Sequence, residues 1–166
     1  GCKVVVFEKE NLAGGMCNLI PQYRLDQDML RQDLEFSIAL GDIAIILKAN
    51  IGDPQALLEK GYDAVLVATG LTEPIKLGIK DEELAVIGLD YLWNSKKYKL
   101  KGRVAVVGGG AVAVDCAMTA KKNGATAVEM IALEAIGEMP LTPKEMDELL
   151  ENGIEISGRT QVVAVI

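Results

Sequence analysis

The sequence predicts an α/β fold built on parallel sheets, and three observations carry that expectation. Short apolar runs at residues 4–7, 43–47, 64–67, 103–107 and 127–133 alternate with stretches of helical periodicity. Several of these runs are apolar throughout, as in strands covered on both faces. Gly41, Gly61, Gly124 and Gly153 each stand just past a helical stretch, where a left-handed backbone ends a helix. Right-handed crossovers between parallel strands then place helices over both faces of each sheet.

The elements follow in order. Gly1-Cys2-Lys3 leads at once into Val4-Val5-Val6-Phe7, a buried strand with no start methionine before it, so a fragment of a longer protein is expected. After Asp26, the residues Met29, Leu30, Leu34 and Ile38 recur at three- and four-residue spacing, predicting an amphipathic helix. Residues 43–47 form the next strand. Asp53-Pro54 caps a short helix through Leu58, and residues 64–67 form a third strand ending at Ala68-Thr69-Gly70. Residues 71–83, with Pro74, Gly78 and several charges, are the expected linker. A helix at 89–94 and the basic turn 96–101 precede a strand at 103–107, and an Ala- and Val-rich helix spans 111–123. Residues 127–133 are a strand. Thr142-Pro143-Lys144-Glu145 is a capping box that opens a helix through Leu150, and strands at 154–157 and 161–166 finish the chain.

Composition narrows the chemistry. The chain has 166 residues, half of them apolar, enough for one domain or two small ones with a core. A net charge of −7 argues against a nucleic-acid partner. The absence of histidine removes Ser-His and Cys-His catalysis and His-ligated metals. Cys2, Cys17 and Cys116 are too far apart for a C-x-x-C or zinc pattern, and are expected to be structural thiols of a reducing, cytoplasmic compartment. No apolar stretch is long enough to span a bilayer, so no membrane association is expected.

The sharpest motif is Gly108-Gly109-Gly110-Ala111-Val112-Ala113, a G-x-G-x-x-A turn between a buried strand and a helix. In that setting the spacing has a mechanism. The first glycine makes the tight turn, the second lets a pyrophosphate approach the backbone, and a small third residue lets helix pack on strand. The helix start adds free N–H groups and its positive dipole end. Glu134, at the end of the second strand, is placed to accept hydrogen bonds from the adenosine ribose hydroxyls. A 2′-phosphate would be repelled there, and no arginine lies within 133–137 to receive it, so NAD(H) is favoured over NADP(H). Glu129, the competing carboxylate, is mid-strand. A short-chain dehydrogenase needs Y-x-x-x-K, whereas Lys101 follows Tyr98 by three positions.

Glu8-Lys9, Gly14-Gly15, the run Ile20-Pro21-Gln22-Tyr23-Arg24-Leu25, Ala68-Thr69-Gly70, the 108–110 turn and Glu138-Met139-Pro140 occur in an order that resembles the glutamate synthase small-subunit family. That group includes the related flavin module of dihydropyrimidine dehydrogenase, and its FAD- and NAD(P)-binding domains pass electrons toward iron–sulfur clusters. The resemblance implies that Glu8 binds the FAD adenosine ribose, that Gly14 and Gly15 admit the flavin nucleotide, and that Ala68, Thr69 and Gly70 cross near its pyrophosphate. It also marks departures. The family's N-terminal G-x-G-x-x-G and C-terminal G-D motifs are absent, and Met16-Cys17-Asn18-Leu19 lacks the family's arginine. Ala111 replaces a frequent asparagine, and Leu133-Glu134 stands where NADP-using members often carry two arginines.

The expected organisation is a partial FAD-binding domain at 1–80 and a Rossmann-like NAD(P)-binding domain at 81–166. The parent would be a flavoprotein that passes hydride from NAD(P)H to FAD, and onward to an iron–sulfur or large catalytic subunit. The piece alone is expected to be inactive, and no side chain is expected to act as acid or base. The rival reading is a nucleotide-binding regulatory or assembly module without turnover.

Overall fold

The computed structural model describes residues 1–166 and divides into two compact units, Gly1–Thr72 and Glu73–Ile166. The division comes earlier than the 80/81 position read from the sequence. Lys80 belongs with the second unit because it bridges Ala164 in parallel, and its carbonyl accepts the Val165 N–H at 2.9 Å.

In the first unit, β1 (Val4–Phe7) and β2 (Ile43–Ile46) pair in parallel, with Val4 opposite Ile43 and Phe7 opposite Ile46. The crossover is helix α1 (Gln27–Ala39), capped by the Asp26 carboxylate, which accepts from the N–H groups of Asp28 and Met29. After β2, helix α2 (Gln55–Glu59) begins where the Asp53 carboxylate accepts the Gln55 N–H at 2.9 Å. The strand expected at 64–67 does not form. Tyr62 packs edge-to-face on Phe7 with ring centroids 5.9 Å apart, but the chain beyond it makes no ladder and Leu66 is left 90% exposed. Apolar composition identifies a strand only where a neighbour supplies hydrogen bonds, and this sheet consists of β1 and β2 alone.

The second unit has helix α3 (Gly88–Trp93) as its first α-helix and holds a parallel sheet of order β3-β4-β5, formed by Arg103–Val107, Ala127–Ile131 and Glu155–Ser157. Helix α4 (Ala111–Lys122) crosses from β3 to β4, and helix α5 (Pro143–Glu151) crosses from β4 to β5. The capping box forms as expected: Thr142 Oγ1 accepts the Glu145 N–H, and Glu145 Oε2 accepts the Thr142 N–H at 2.8 Å. Alanines 113, 117 and 120 let α4 approach the sheet closely, and Val114, Val128, Met130 and Leu149 are completely enclosed between them. The last expected strand, 161–166, reduces to the single Lys80–Ala164 bridge. The α/β class with parallel sheets is therefore what the chain adopts.

Candidate dinucleotide site

The glycine turn sits where β3 meets α4, and its three glycines meet different surroundings. Gly108 extends the ladder by donating its N–H to the Ile131 carbonyl at 2.8 Å, with φ at +135°, a backbone that side chains rarely adopt. A β-carbon there would lie 3.4 Å from Cβ of the buried Ala113, so a small residue at 113 is what the strand-to-helix approach requires. Gly109 is buried, and a β-carbon on it would stand 3.1 Å from Ala132 Cβ, 3.1 Å from Glu134 Oε2 and 3.3 Å from Met139 Cγ. Gly110 caps α4, its carbonyl accepting the N–H groups of Ala113 and Val114 at 2.9 and 3.2 Å. A β-carbon at 110 would meet nothing within 4 Å, so this glycine faces open space. Ala111 and Val112 are exposed in the first turn, where N–H groups have no partner within the helix.

The fold brings Glu134 to this turn: its carboxylate is exposed and its Oε2 borders Gly109. The Glu138-Met139-Pro140 motif gains a structural account at the same place. Met139 is buried over Gly109, while Glu138 Oε2 accepts the Ala135 N–H at 3.2 Å and pins the loop that carries Glu134. Glu129 is engaged elsewhere. Its Oε1 accepts from Ser157 Oγ at 2.6 Å, and its Oε2 lies 3.5 Å from Arg103 Nη2.

Sequence reading missed the residues that follow β5. The Arg159 N–H donates to the Glu134 carbonyl and the Thr160 N–H to the Ala132 carbonyl, both at 2.9 Å. The Arg159 guanidinium ends 3.8 Å from Glu138 Oε1. No arginine lies within 133–137, but the tertiary fold supplies one from 159. Spacing along the chain carries no signal for this, because it depends on β5 pairing with β4.

The groups with shifted acidity lie on the joint between α3 and α4. Burial pushes the Cys116 thiol up to about 12, with the Asp115 charge adding to the effect. Its Sγ is 3.5 Å from the Gly88 carbonyl, to which it donates. Burial also raises the Tyr91 hydroxyl, against the lowering effect of Asn123 Nδ2, which donates to it at 3.1 Å. Both are packed structural groups.

In the first unit, Glu8 directly follows β1 and is half-buried. Its N–H donates to the Ile46 carbonyl at 3.0 Å, and its Oε1 accepts the Glu10 N–H at 2.9 Å. Gly14 and Gly15 have φ of +111° and +52° at the start of the 3₁₀ turn Gly15–Leu19; a β-carbon at Gly14 would press on Asn18 at 3.0 Å, whereas Gly15 is open. Ala68, Thr69 and Gly70 lie exposed in the irregular segment after residue 67, and Gly70 is also open.

Residues 2–166 match the family model described as pyridine nucleotide-disulphide oxidoreductase. The chain belongs to that family. Among members with similar sequences, the NADP(+)-dependent formate dehydrogenase subunit beta of Moorella thermoacetica is 36% identical over 165 residues, covering 93% of this chain and 23% of that protein. The NAD-dependent dihydropyrimidine dehydrogenase subunit PreT of Escherichia coli is 31% identical, covering 99% of this chain and 42% of its own length. A putative glutamate synthase [NADPH] small chain of Cereibacter sphaeroides is 28% identical, covering 93% and 41%. The resemblance to glutamate synthase small-subunit proteins thus holds within this family of oxidoreductases. The chain spans less than half the length of each of these relatives.

Proposed function

We propose that this chain holds a nicotinamide dinucleotide at the 108–110 turn, as part of a longer flavoprotein oxidoreductase that passes hydride from NAD(P)H to FAD. The observation that carries the reading is the contrast between two neighbouring glycines. Gly109 is enclosed by Ala132, Glu134 and Met139, whereas Gly110 opens at the start of α4 onto space that a side chain would fill. This is the arrangement a pyrophosphate needs: bare backbone, free N–H groups and a positive helix end.

In this reading the N–H groups of Ala111 and Val112 donate to the pyrophosphate. Glu134 accepts from the ribose hydroxyls. Glu134 repels a 2′-phosphate, which favours NAD(H) over NADP(H); the relatives' own names include both cofactors. In the first unit, Glu8 would take the FAD ribose, and the open backbone at Gly15 and Gly70 would admit the flavin nucleotide, with Gly14, Ala68 and Thr69 shaping the approach. The cofactors themselves supply the hydride chemistry, and the protein's part is to bind and orient them. No side chain serves as acid or base. The assignment of the first unit to FAD and the second to the nicotinamide belongs to the same proposal, as does turnover in the longer protein with an electron-accepting subunit. No helix is long and apolar enough to cross a membrane, and the unpaired cysteines suit the cytoplasm.

Calorimetric titration with NADH tests the reading. The chain is expected to bind, and Gly110→Glu to abolish binding, since it fills the open space and adds a charge that repels phosphate. Equal heats from both proteins would remove the turn from the site.

A further inference from the structure

Glu134 is not the only charge that the fold brings to the C-terminal edge of β4. The two hydrogen bonds from Arg159 and Thr160 lay residues 158–160 along the loop that carries Glu134. The approach is close enough that only glycine fits at 158: a β-carbon there would stand 2.9 Å from the Glu134 carbonyl oxygen, a backbone atom that cannot swing aside. Arg159 follows with φ at +51°, in the left-handed region. Its guanidinium reaches Glu138 Oε1 at 3.8 Å, and the other oxygen of Glu138 accepts the Ala135 N–H, so one carboxylate contacts both the cation and the loop that carries Glu134. The Arg159 side chain is 76% exposed. An exposed pair of this length binds weakly, so Glu138 steers the guanidinium without sequestering it.

Resting on the reading of residues 108–110 as a pyrophosphate turn, we propose that Arg159 is a second specificity residue for the adenosine end of the dinucleotide. Glu134 accepts from two ribose hydroxyls and repels a 2′-phosphate; Arg159, released from Glu138, receives that phosphate. The planar guanidinium fork suits phosphate oxygens, and Glu138 keeps it near the ribose when no phosphate is present. Selectivity is then the difference between two opposed charges on the loops that follow adjoining strands, and NADP(H) is a minor ligand instead of an excluded one.

Calorimetric titration of the 166-residue chain with NADH and NADPH, in four forms (unmodified, Glu134→Gln, Arg159→Ala and the double variant), tests this. Glu134→Gln is expected to raise the NADPH-to-NADH affinity ratio by about tenfold, one charge-assisted contact's worth. Arg159→Ala is expected to lower the ratio in both backgrounds and to cancel that gain, with Arg159→Lys recovering part of it. A loop that had merely lost its packing would weaken both dinucleotides in proportion and leave the ratio where it was. A ratio unmoved by Arg159→Ala overturns the role of Arg159 while NADH binding still supports the turn. Failure of the unmodified chain to bind either dinucleotide overturns the turn itself.

Discussion

Gly109 and Gly110 are adjacent, yet the surroundings of each assign it a different job. A methyl group on Gly109 presses on Ala132 Cβ, which the backbone fixes, and on the movable ends of Glu134 and Met139. Gly109→Ala is therefore expected to destabilise the second unit by about 1–3 kcal/mol, as overpacking does. It should also displace the Glu134 carboxylate. Gly110→Ala meets no protein atom, and its φ of −100° suits alanine, so the folded protein tolerates it. Its cost should fall on NADH affinity alone. Urea denaturation and calorimetry on the two variants separate these effects, and a stability loss in Gly110→Ala matching that in Gly109→Ala would contradict the division of roles. The sequence motif marks both glycines, but which one is enclosed depends on Met139 folding back over the turn. Spacing carries no such signal for a residue from another loop.

At the scale of elements, α4 serves two ends. Its first turn faces the site and its interior joins α3 to the sheet. That joint is tight, since a β-carbon at Gly88 would stand 3.0 Å from Cys116 Sγ. The sequence reveals α4 clearly because Gly108, Gly110 and Gly124 bracket an Ala- and Val-rich run. Likewise β1 and β3 are legible because their apolar runs have ladder partners, whereas residues 64–67 have the composition and no partner. The α3–α4 joint carries a pH dependence whose sign follows from the Cys116 thiol. Its ordinary value of 9.0 applies when the chain unfolds, and burial first, with Asp115 second, raises it to about 12 in the fold. The unfolded chain therefore releases this proton first. The contribution to stability is complete below pH 9.0 and is lost as pH rises toward about 12. Urea midpoints measured across that interval should fall less steeply in Cys116→Ala than in the unmodified chain. Parallel slopes would show that the thiol is not the group responsible.

Across the whole molecule the two units differ in how they are held together. The second encloses α4, β4 and α5 residues in one continuous core, from Tyr91 through Ala113, Val114 and Met130 to Leu149 and Ile154. In the first, Leu57 is the buried apolar side chain, and β1 and β2 keep Val4, Val6 and Ile46 at least 40% exposed. Burying a large aliphatic side chain contributes about 1.5–3 kcal/mol, so a unit with so few such residues has little to set against its conformational entropy. A two-stranded sheet is marginal for the same reason. Hydrogen exchange reads this difference directly, because protection follows the free energy of local opening. Amides of β3, β4 and α4 are expected to exchange slowest and together, at the rate set by opening of the second unit. Amides of β1 and β2 should exchange faster, by a factor that shrinks if FAD binds and links its own affinity to the folding of the first unit. Mass-spectrometric exchange with and without FAD separates the two contributions. Slow exchange in β1 and β2 without FAD, equal to that of β3 and β4, would mean that the first unit draws its stability from something other than its own core.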